Sequence, residues 1–367
     1  MNSFVDLSVT RIVLRLIDHL GSRTISWHVG AVSSLGDMQI AFEGLGCRVI
    51  DFTNAGTANP RRSIRRYIRE HDIDIVHTHT PRTIVDVSLA LLGVDQVTHV
   101  ATKHLLNARS DRRWGVAYTL LDRLTLYPPD VLVPVSSTMR DQIISQPLID
   151  KRKVVLIRNA IPIGDFRPGD RAAARLELGL GADANVLGYA GRIDKVKRID
   201  LLLQAFRQVY EQREKAHLVI AGEGNLKGEM EALASALGIS HAVRWPGFHR
   251  NMPRLLAAID VYVQSSVNEG LSLSILEAMA AEKAVVATNV GAAKEVIADG
   301  ETGFLVPPGS STAIATAVIA LLDDPERRAA ISRAARAHVE SEFDLRKMVD
   351  QYGAVYARLA EQATHAT

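Results

Sequence analysis

A single cysteine, Cys47, occurs in 367 residues. No disulfide can close within the chain, and no cluster of thiolates can hold a metal. Such sparing use of cysteine fits a reducing compartment. Long apolar runs are missing as well, since no stretch reaches the ~18 apolar residues that a helix needs to cross a bilayer. The opening "MNSFVDLSVTRIVLRLIDHLG" lacks the basic start of a secretory signal, and Arg15 breaks its short apolar stretch. The expected location is therefore cytoplasmic. Aromatic residues make up only 5% of the chain, and none alternate with basic residues as a platform for stacked bases would require, so nucleic acid is not an expected partner. Low-complexity tracts and short repeats are also absent.

The remaining composition, 47% hydrophobic and 23% charged, is that of a soluble globular protein. A chain of this length exceeds what one core usually supports, so two domains are expected. The net charge of +2 is unevenly spread. Residues 1–165 hold 20 Lys and Arg against 16 Asp and Glu, whereas residues 166–367 hold 23 against 25. The mildly basic front half is compatible with a partner that carries phosphate or presents an anionic surface.

Apolar runs of strand length alternate with helix-period stretches throughout, the pattern of parallel α/β architecture. In the front half strands are expected at 11–17 ("RIVLRLI"), 48–52, 74–79, 99–103, 131–136 and 154–159 ("VVLIRN"), with a helix at 81–93 among the segments between them. The back half repeats the rhythm with strands at 186–191, 217–222, 243–247, 260–266, 284–289 and 303–307. Two doubly wound, Rossmann-like domains are thus expected, 1–163 and 164–344, joined through "RNAIPIGDFRPGDRAAAR" (158–175). Ligands of such sheets bind beyond the carboxyl ends of the strands, here in a central cleft that the two domains face.

Two strand-to-helix turns in the back half carry chemistry. In "GYAGRIDKVKRIDLLLQAF" a strand ends at Gly191, and Arg192 and Lys197 precede a helix. Two cations beside a helix N-terminus suit a multiply charged anion such as a diphosphate. In "QSSVNEGLSLSILEAMA" the acids Glu269 and Glu277 stand eight positions apart. Gly270 lets the backbone approach a ligand, the N–H groups of Leu271 and Ser272 can bind hydroxyls or phosphate, and Ser272 is placed to cap the helix. Glu269 can accept from sugar hydroxyls. Glu277 stands in the otherwise apolar "SILEAMA", where an unpaired charge is costly, and its two oxygens can take adjacent ribose hydroxyls.

These turns, with "LVIAGEGNLKGEMEALASALGI", "VRWPGFHRNMPRLLAAIDVYVQSS" and "ATNVGAAKEVIADGETGFLVPPG", resemble the retaining glycosyltransferases of family 4, in order and spacing, across about 150 residues. The resemblance implies the GT-B fold, with the last helix (about 345–367) returning to the front domain. It implies that Arg192 and Lys197 hold the diphosphate of a nucleotide sugar, that Glu277 holds the ribose, and that Glu269 with residues 270–272 holds the transferred sugar. Gly222 of "AGEGN" and Gly21 are donor-binding positions by the same resemblance. "DIVHTHT" and "VATKHLLN" resemble front-domain segments of the family, and the latter gives His104 the role of hydrogen-bonding the donor sugar. One departure stands out. After "DHLG" the family has paired glycines and an acid, whereas this chain has "GSRTISWHVG" and keeps only Gly21.

Three patterns imitate other chemistry. Asp72-Ile73-Asp74 spells a metal-binding D-x-D, His77 and His79 share one strand face, and "AGEGNLKG" imitates a dinucleotide fingerprint with the wrong glycine spacing. Neither a metal nor a redox cofactor is expected. Arg61, Arg62, Arg65, Arg66 and Arg69 recur at helical spacing behind the Asn59-Pro60 start. They read as a basic face, with Arg61, Arg65 and Arg69 expected to contact a lipid-linked acceptor or the inner face of a membrane. A solvated helix face is the plain alternative.

The expected activity is transfer of a hexose or N-acetylhexosamine, with retention, from a nucleotide-diphosphate sugar to a hydroxyl acceptor in glycolipid or polysaccharide synthesis. A UDP-sugar is the favoured donor, and front-face attack is the course that the family implies. Two alternatives remain: a non-catalytic nucleotide-sugar-binding scaffold, suggested by the altered "GSRTIS" segment, and a sugar-nucleotide epimerase on the same fold.

Overall fold

The computed structural model describes residues 8–21, 25–32, 36, 38–52, 59–105 and 122–365. The chain forms two compact units, Ala160–Leu345 and a front unit of Met1–Asn159 with Arg346–Thr367.

Among the described residues the front unit carries two parallel sheets. Strands β1 (His28–Ala31) and β2 (Arg48–Asp51) form one, and β3 (Ile75–Thr78), β4 (Thr98–Lys103) and β5 (Val131–Pro134) form the other in that order. The run at 11–17 is not a strand, because it lies within the helix Ser8–Leu20. Ile12, Val13, Leu16 and Ile17 are buried at i, i+1, i+4 and i+5, while Asp18 and His19 are exposed, so the period is helical rather than alternating. The following Gly21 has φ 71° and its N–H donates to the Ile17 carbonyl at 2.9 Å, the left-handed end of that helix.

Segment 154–159 runs beside β5 without completing a ladder. The N–H groups of Val155 and Ile157 donate to the carbonyls of Leu132 and Pro134 at 2.8 and 3.2 Å. The reciprocal bond fails because Pro134 has no N–H to give. A cavity of about 700 Å³ lies within this unit, lined from both sheets by Val29, Ile50, Phe52, Ile64, Val76 and His77 among others. It is largely apolar, and Asp72 and Asp74 lie at its wall. The last helix, Leu345–His365, contributes Tyr352 and Tyr356, whose hydroxyls bond Thr102 at 3.0 Å and His77 at 2.6 Å.

The second unit is one parallel sheet of six strands: β6 (Asn185–Ala190), β7 (Ala216–Ala221), β8 (Val243–Gly247), β9 (Val261–Gln264), β10 (Ala284–Thr288) and β11 (Phe304–Val306). Their spatial order is β11-β10-β9-β6-β7-β8, so the chain winds outward from β6 in one direction and from β9 in the other, the doubly wound dinucleotide-fold order. β6, β7, β9 and β10 are almost continuously buried because helices cover both faces. The core joins Leu187, Leu218 and Val263 of the strands to Leu202 and Phe206 of helix Ile199–Gln212 and to Val318 of helix Ser311–Asp323. One cation supports it. Arg175, 1% exposed, donates to the carbonyls of Ala182, Ala184 and Ala258 and to Asp260 at 2.7 to 3.1 Å.

Candidate active site

β6 and β9 are hydrogen-bonded neighbours whose onward connections leave in opposite directions. The loops that follow them therefore meet beyond the strand ends at the topological switch point. The two loops are sewn together. Ser265 Oγ donates to the carbonyls of Lys197 and Arg198, both at 2.9 Å, and Val267 N–H donates to the Val196 carbonyl at 2.9 Å. Arg198, which opens helix Ile199–Gln212, has φ 51°, a left-handed conformation that a non-glycine residue adopts at a cost. Its guanidinium is engaged by Asp200 at 2.8 to 3.1 Å.

This stitching brings Lys197 Nζ within 2.6 Å of Glu269 Oε1. Both side chains are mostly buried, at 16% and 12% exposure, so their attraction is screened less than that of a surface pair. The same Oε1 accepts from Ser266 Oγ at 2.6 Å and from Gln264 Nε2 at 3.0 Å. Arg192 is 65% exposed and pairs with Asp194 at 3.0 Å. One turn into helix Leu273–Ala280 lies Glu277, 8% exposed. Tyr262, its hydroxyl bonded to the Ala190 carbonyl at 3.0 Å, is held neutral first by burial, with Glu277 and Glu269 adding to the effect.

Ser272 stands at the N-cap of that helix, but its side chain caps nothing. The hydroxyl donates instead to Gln264 Oε1 at 2.9 Å, so the expected side-chain cap is corrected. Gly270 accepts the Ala292 N–H at 3.1 Å, and Leu271 is buried. Gly291 is required for this approach, because a Cβ there would stand 1.9 Å from the Glu269 carbonyl oxygen, at φ 55°. Gly222 has a similar reason. Its Cβ would meet the Gly191 carbonyl oxygen at 1.8 Å, so this glycine packs the β7 loop against the β6 loop.

In the front unit His104 lies at the end of β4 with its Nε2 3.2 Å from His79 Nδ1, and the two rings stack at 5.5 Å. Leu106 and Asn107 of "VATKHLLN" lie outside the described residues. Burial pushes His104 down to about 4 and His77 to about 3, and carries His79 well below the ordinary imidazole range. All three are neutral at pH 7. His77 spends both nitrogens, on Tyr356 and on Thr102 Oγ1 at 2.8 Å, so it has none for a metal.

Gly21 does not fit a donor site. It closes a helix whose next strand is β1, which sets it at the amino-terminal end of the strands, away from ligand-binding loops. Ser22, Arg23 and Thr24 of the "GSRTIS" segment lie outside the described residues. Three arginines of the basic helix face, though Arg61 and Arg69 are exposed, have partners within the unit. Arg61 Nε donates to buried Asp86 at 3.0 Å, and Arg65 caps the end of helix Pro81–Ala90 through the carbonyls of Ala90 and Leu92, both at 2.7 Å. Arg69 reaches the Gly93 carbonyl at 3.4 Å. Arg65 and Arg69 thus satisfy carbonyls at and just beyond a helix end that would otherwise stay unpaired.

Gln264, Ser265, Ser266 and Gly291 escaped the sequence reading. The only signal was "VQSS", a polar run directly after an apolar strand.

The order of the second sheet, with charged loops at its switch point, is that of a doubly wound nucleotide-binding domain. Residues 170–338 match the family of glycosyl transferases group 1, and residues 9–164 match Glycosyltransferase Family 4. The chain is 30% identical over 276 residues to the putative glycosyltransferase EpsD of Bacillus subtilis (strain 168), covering 72% of this chain and 71% of that protein. It is 35% identical over 255 residues to a D-inositol 3-phosphate glycosyltransferase of Streptomyces avermitilis, covering 66% of this chain and 55% of that one. In structure it is similar to Anabaena HepE in complex with UDP-glucose, with a TM-score of 0.83, 21% identity and 95% of each chain covered. The protein belongs to the family 4 glycosyltransferases.

Proposed function

We propose that the protein is a retaining glycosyltransferase that moves a hexose or N-acetylhexosamine from a nucleotide-diphosphate sugar to a hydroxyl acceptor in glycolipid or polysaccharide synthesis. The observation that carries the reading is the Lys197–Glu269 contact at the switch point, with Glu277 eight residues further on. Lys197 and Arg192 neutralise the leaving diphosphate, Glu269 and the backbone at 270–272 hold the sugar, and Glu277 holds the ribose. Fixed charges aimed at a leaving group act chiefly by electrostatic stabilisation. His104, neutral at pH 7, is proposed as a hydrogen-bonding group for the donor sugar. Because two cations supply the positive charge, no metal is required in this scheme. UDP is the favoured nucleotide, since the Anabaena relative binds UDP and UDP-glucose.

A non-catalytic nucleotide-sugar-binding scaffold is the second reading, and it predicts donor binding without turnover. No membrane contact is proposed for Arg61, Arg65 or Arg69.

Thermal melts with UDP, GDP, ADP and dTDP in EDTA test the site. Saturation at ~100 times the dissociation constant adds about 2.7 kcal/mol to the folded state. A shift with one nucleotide supports the reading, and no shift with any of the four overturns it. Transfer from UDP-glucose or UDP-N-acetylglucosamine, with the product anomer read by NMR, then tests retention.

A further inference from the structure

Gln264 is the last residue of β9 and is 2% exposed. Its carboxamide works in two directions. Nε2 donates to Glu269 Oε1 at 3.0 Å, and Oε1 accepts from Ser272 Oγ at 2.9 Å and Ser274 Oγ at 3.3 Å. With the opposite amide orientation, two oxygens would face each other across the Glu269 contact.

Two consequences follow from these bonds. First, Gln264, Ser266 and Lys197 all donate to the same Glu269 oxygen. Among the described residues Oε2 receives no such donor, so the carboxylate is locked by one oxygen with the other left for a ligand. Second, the Ser272 hydroxyl is drawn away from the helix it would otherwise cap. The first-turn N–H groups of helix Leu273–Ala280 keep no side-chain partner from Ser272, so the positive helix end stays available.

We propose that Gln264 is a positioning residue for sugar transfer, a buried clamp that holds Glu269 in its ligand-accepting orientation and keeps the Ser272 hydroxyl off the helix N-terminus. The inference rests on the reading of the site as a glycosyltransferase centre. An apolar residue at 264 removes one of three anchors of the acid and frees the Ser272 hydroxyl to rotate onto the first turn as an ordinary cap. A carboxylate at 264 sets two acids at hydrogen-bond distance unless a proton is shared between them.

The test uses the full chain with the nucleotide sugar on which the wild type is active. Gln264→Leu is expected to lower kcat on the order of 10- to 100-fold, the scale of a small misplacement. UDP affinity should change less than about 3-fold, because the groups proposed for diphosphate and ribose remain. In the Glu269→Ala background the same substitution should cost clearly less than in the wild type, since the part that acts through Glu269 is already lost. Gln264→Glu preserves the shape, and its activity should recover as the pH falls and the introduced carboxyl gains a proton to donate. A merely structural role would lower the melting point yet leave kcat per folded molecule, the cycle and the pH profile unchanged. Unchanged kcat in Gln264→Leu, or losses that simply add to those of Glu269→Ala, would overturn the inference and leave the functional reading intact. A wild type that neither binds nor turns over any nucleotide sugar would instead overturn that reading, and the inference with it.

Discussion

Lys197 Nζ stands 2.6 Å from Glu269 Oε1, although the two residues lie 72 positions apart on different loops. The contact joins the loop after β6 to the loop after β9, the two strands at which the winding of the sheet reverses. The acid holds the cation that the proposed reaction requires at the leaving diphosphate.

Replacing Lys197 should therefore damage chemistry more than folding. Lys197→Ala removes one of three donors on Glu269 and a charge proposed for the diphosphate, and kcat should drop on the order of 10²–10³-fold. Lys197→Arg should restore little, because a planar fork does not reproduce the point-charge geometry. Steady-state kinetics beside a thermal melt separates the two effects.

Gly291→Ala is expected to uncouple binding from folding. The added methyl would meet the Glu269 carbonyl oxygen at 1.9 Å with φ already 55°, so the 269–270 turn must move. Nucleotide-sugar affinity should fall at least ~10-fold, while far-UV circular dichroism should keep its shape. The expected stability loss is about 1–3 kcal/mol, the cost of strain in the left-handed region, measurable by urea unfolding.

Arg175 belongs to the scaffold alone. Arg175→Ala leaves Asp260 buried with Arg171 at 2.9 Å and the Val186 N–H at 2.8 Å, and strands three carbonyls that Arg175 had satisfied. Breaking such a buried pair costs about 3–5 kcal/mol. Denaturant unfolding should show the loss in the unit that holds the six-stranded sheet.

The buried histidines make the front unit acid-sensitive. His104 and His77, pushed by burial to about 4 and about 3 from 6.5, bind fewer protons folded than unfolded. Their neutral forms therefore favour the fold above pH 6.5, and that contribution is lost as the pH falls from 6.5 towards the folded values. Each group contributes a slope of about 1.4 kcal/mol per pH unit inside that window. Melting points recorded between pH 7 and pH 4 should fall steeply, and His77→Gln should flatten the curve.

Much of this was legible in sequence because it is local. Apolar runs of strand length marked all six strands of the second sheet, since buried parallel strands have no alternation to hide. Arg192, Lys197, Glu269 and Glu277 could be picked out because each stands beside a strand-to-helix turn. The segment at 11–17 is a short apolar run that fits both periods, and the burial of Ile12, Val13, Leu16 and Ile17 at i, i+1, i+4 and i+5 decides for helix. The spacing of Arg61, Arg65 and Arg69 marks a basic face, but nothing in it reveals that the carboxyl end of helix Pro81–Ala90 lies alongside.

The sequence by itself determined which residues could carry charge to a ligand and in which order the strands and helices come. Only the tertiary structure decided that Lys197 meets Glu269, that Gln264 holds Glu269 and Ser272 together, and that Gly291 leaves room for the turn. The Lys197 and Gly291 contacts join segments that the strand order brings together, and the Gln264 contacts depend on how one loop folds back over its strand end; neither leaves a periodic trace along the chain.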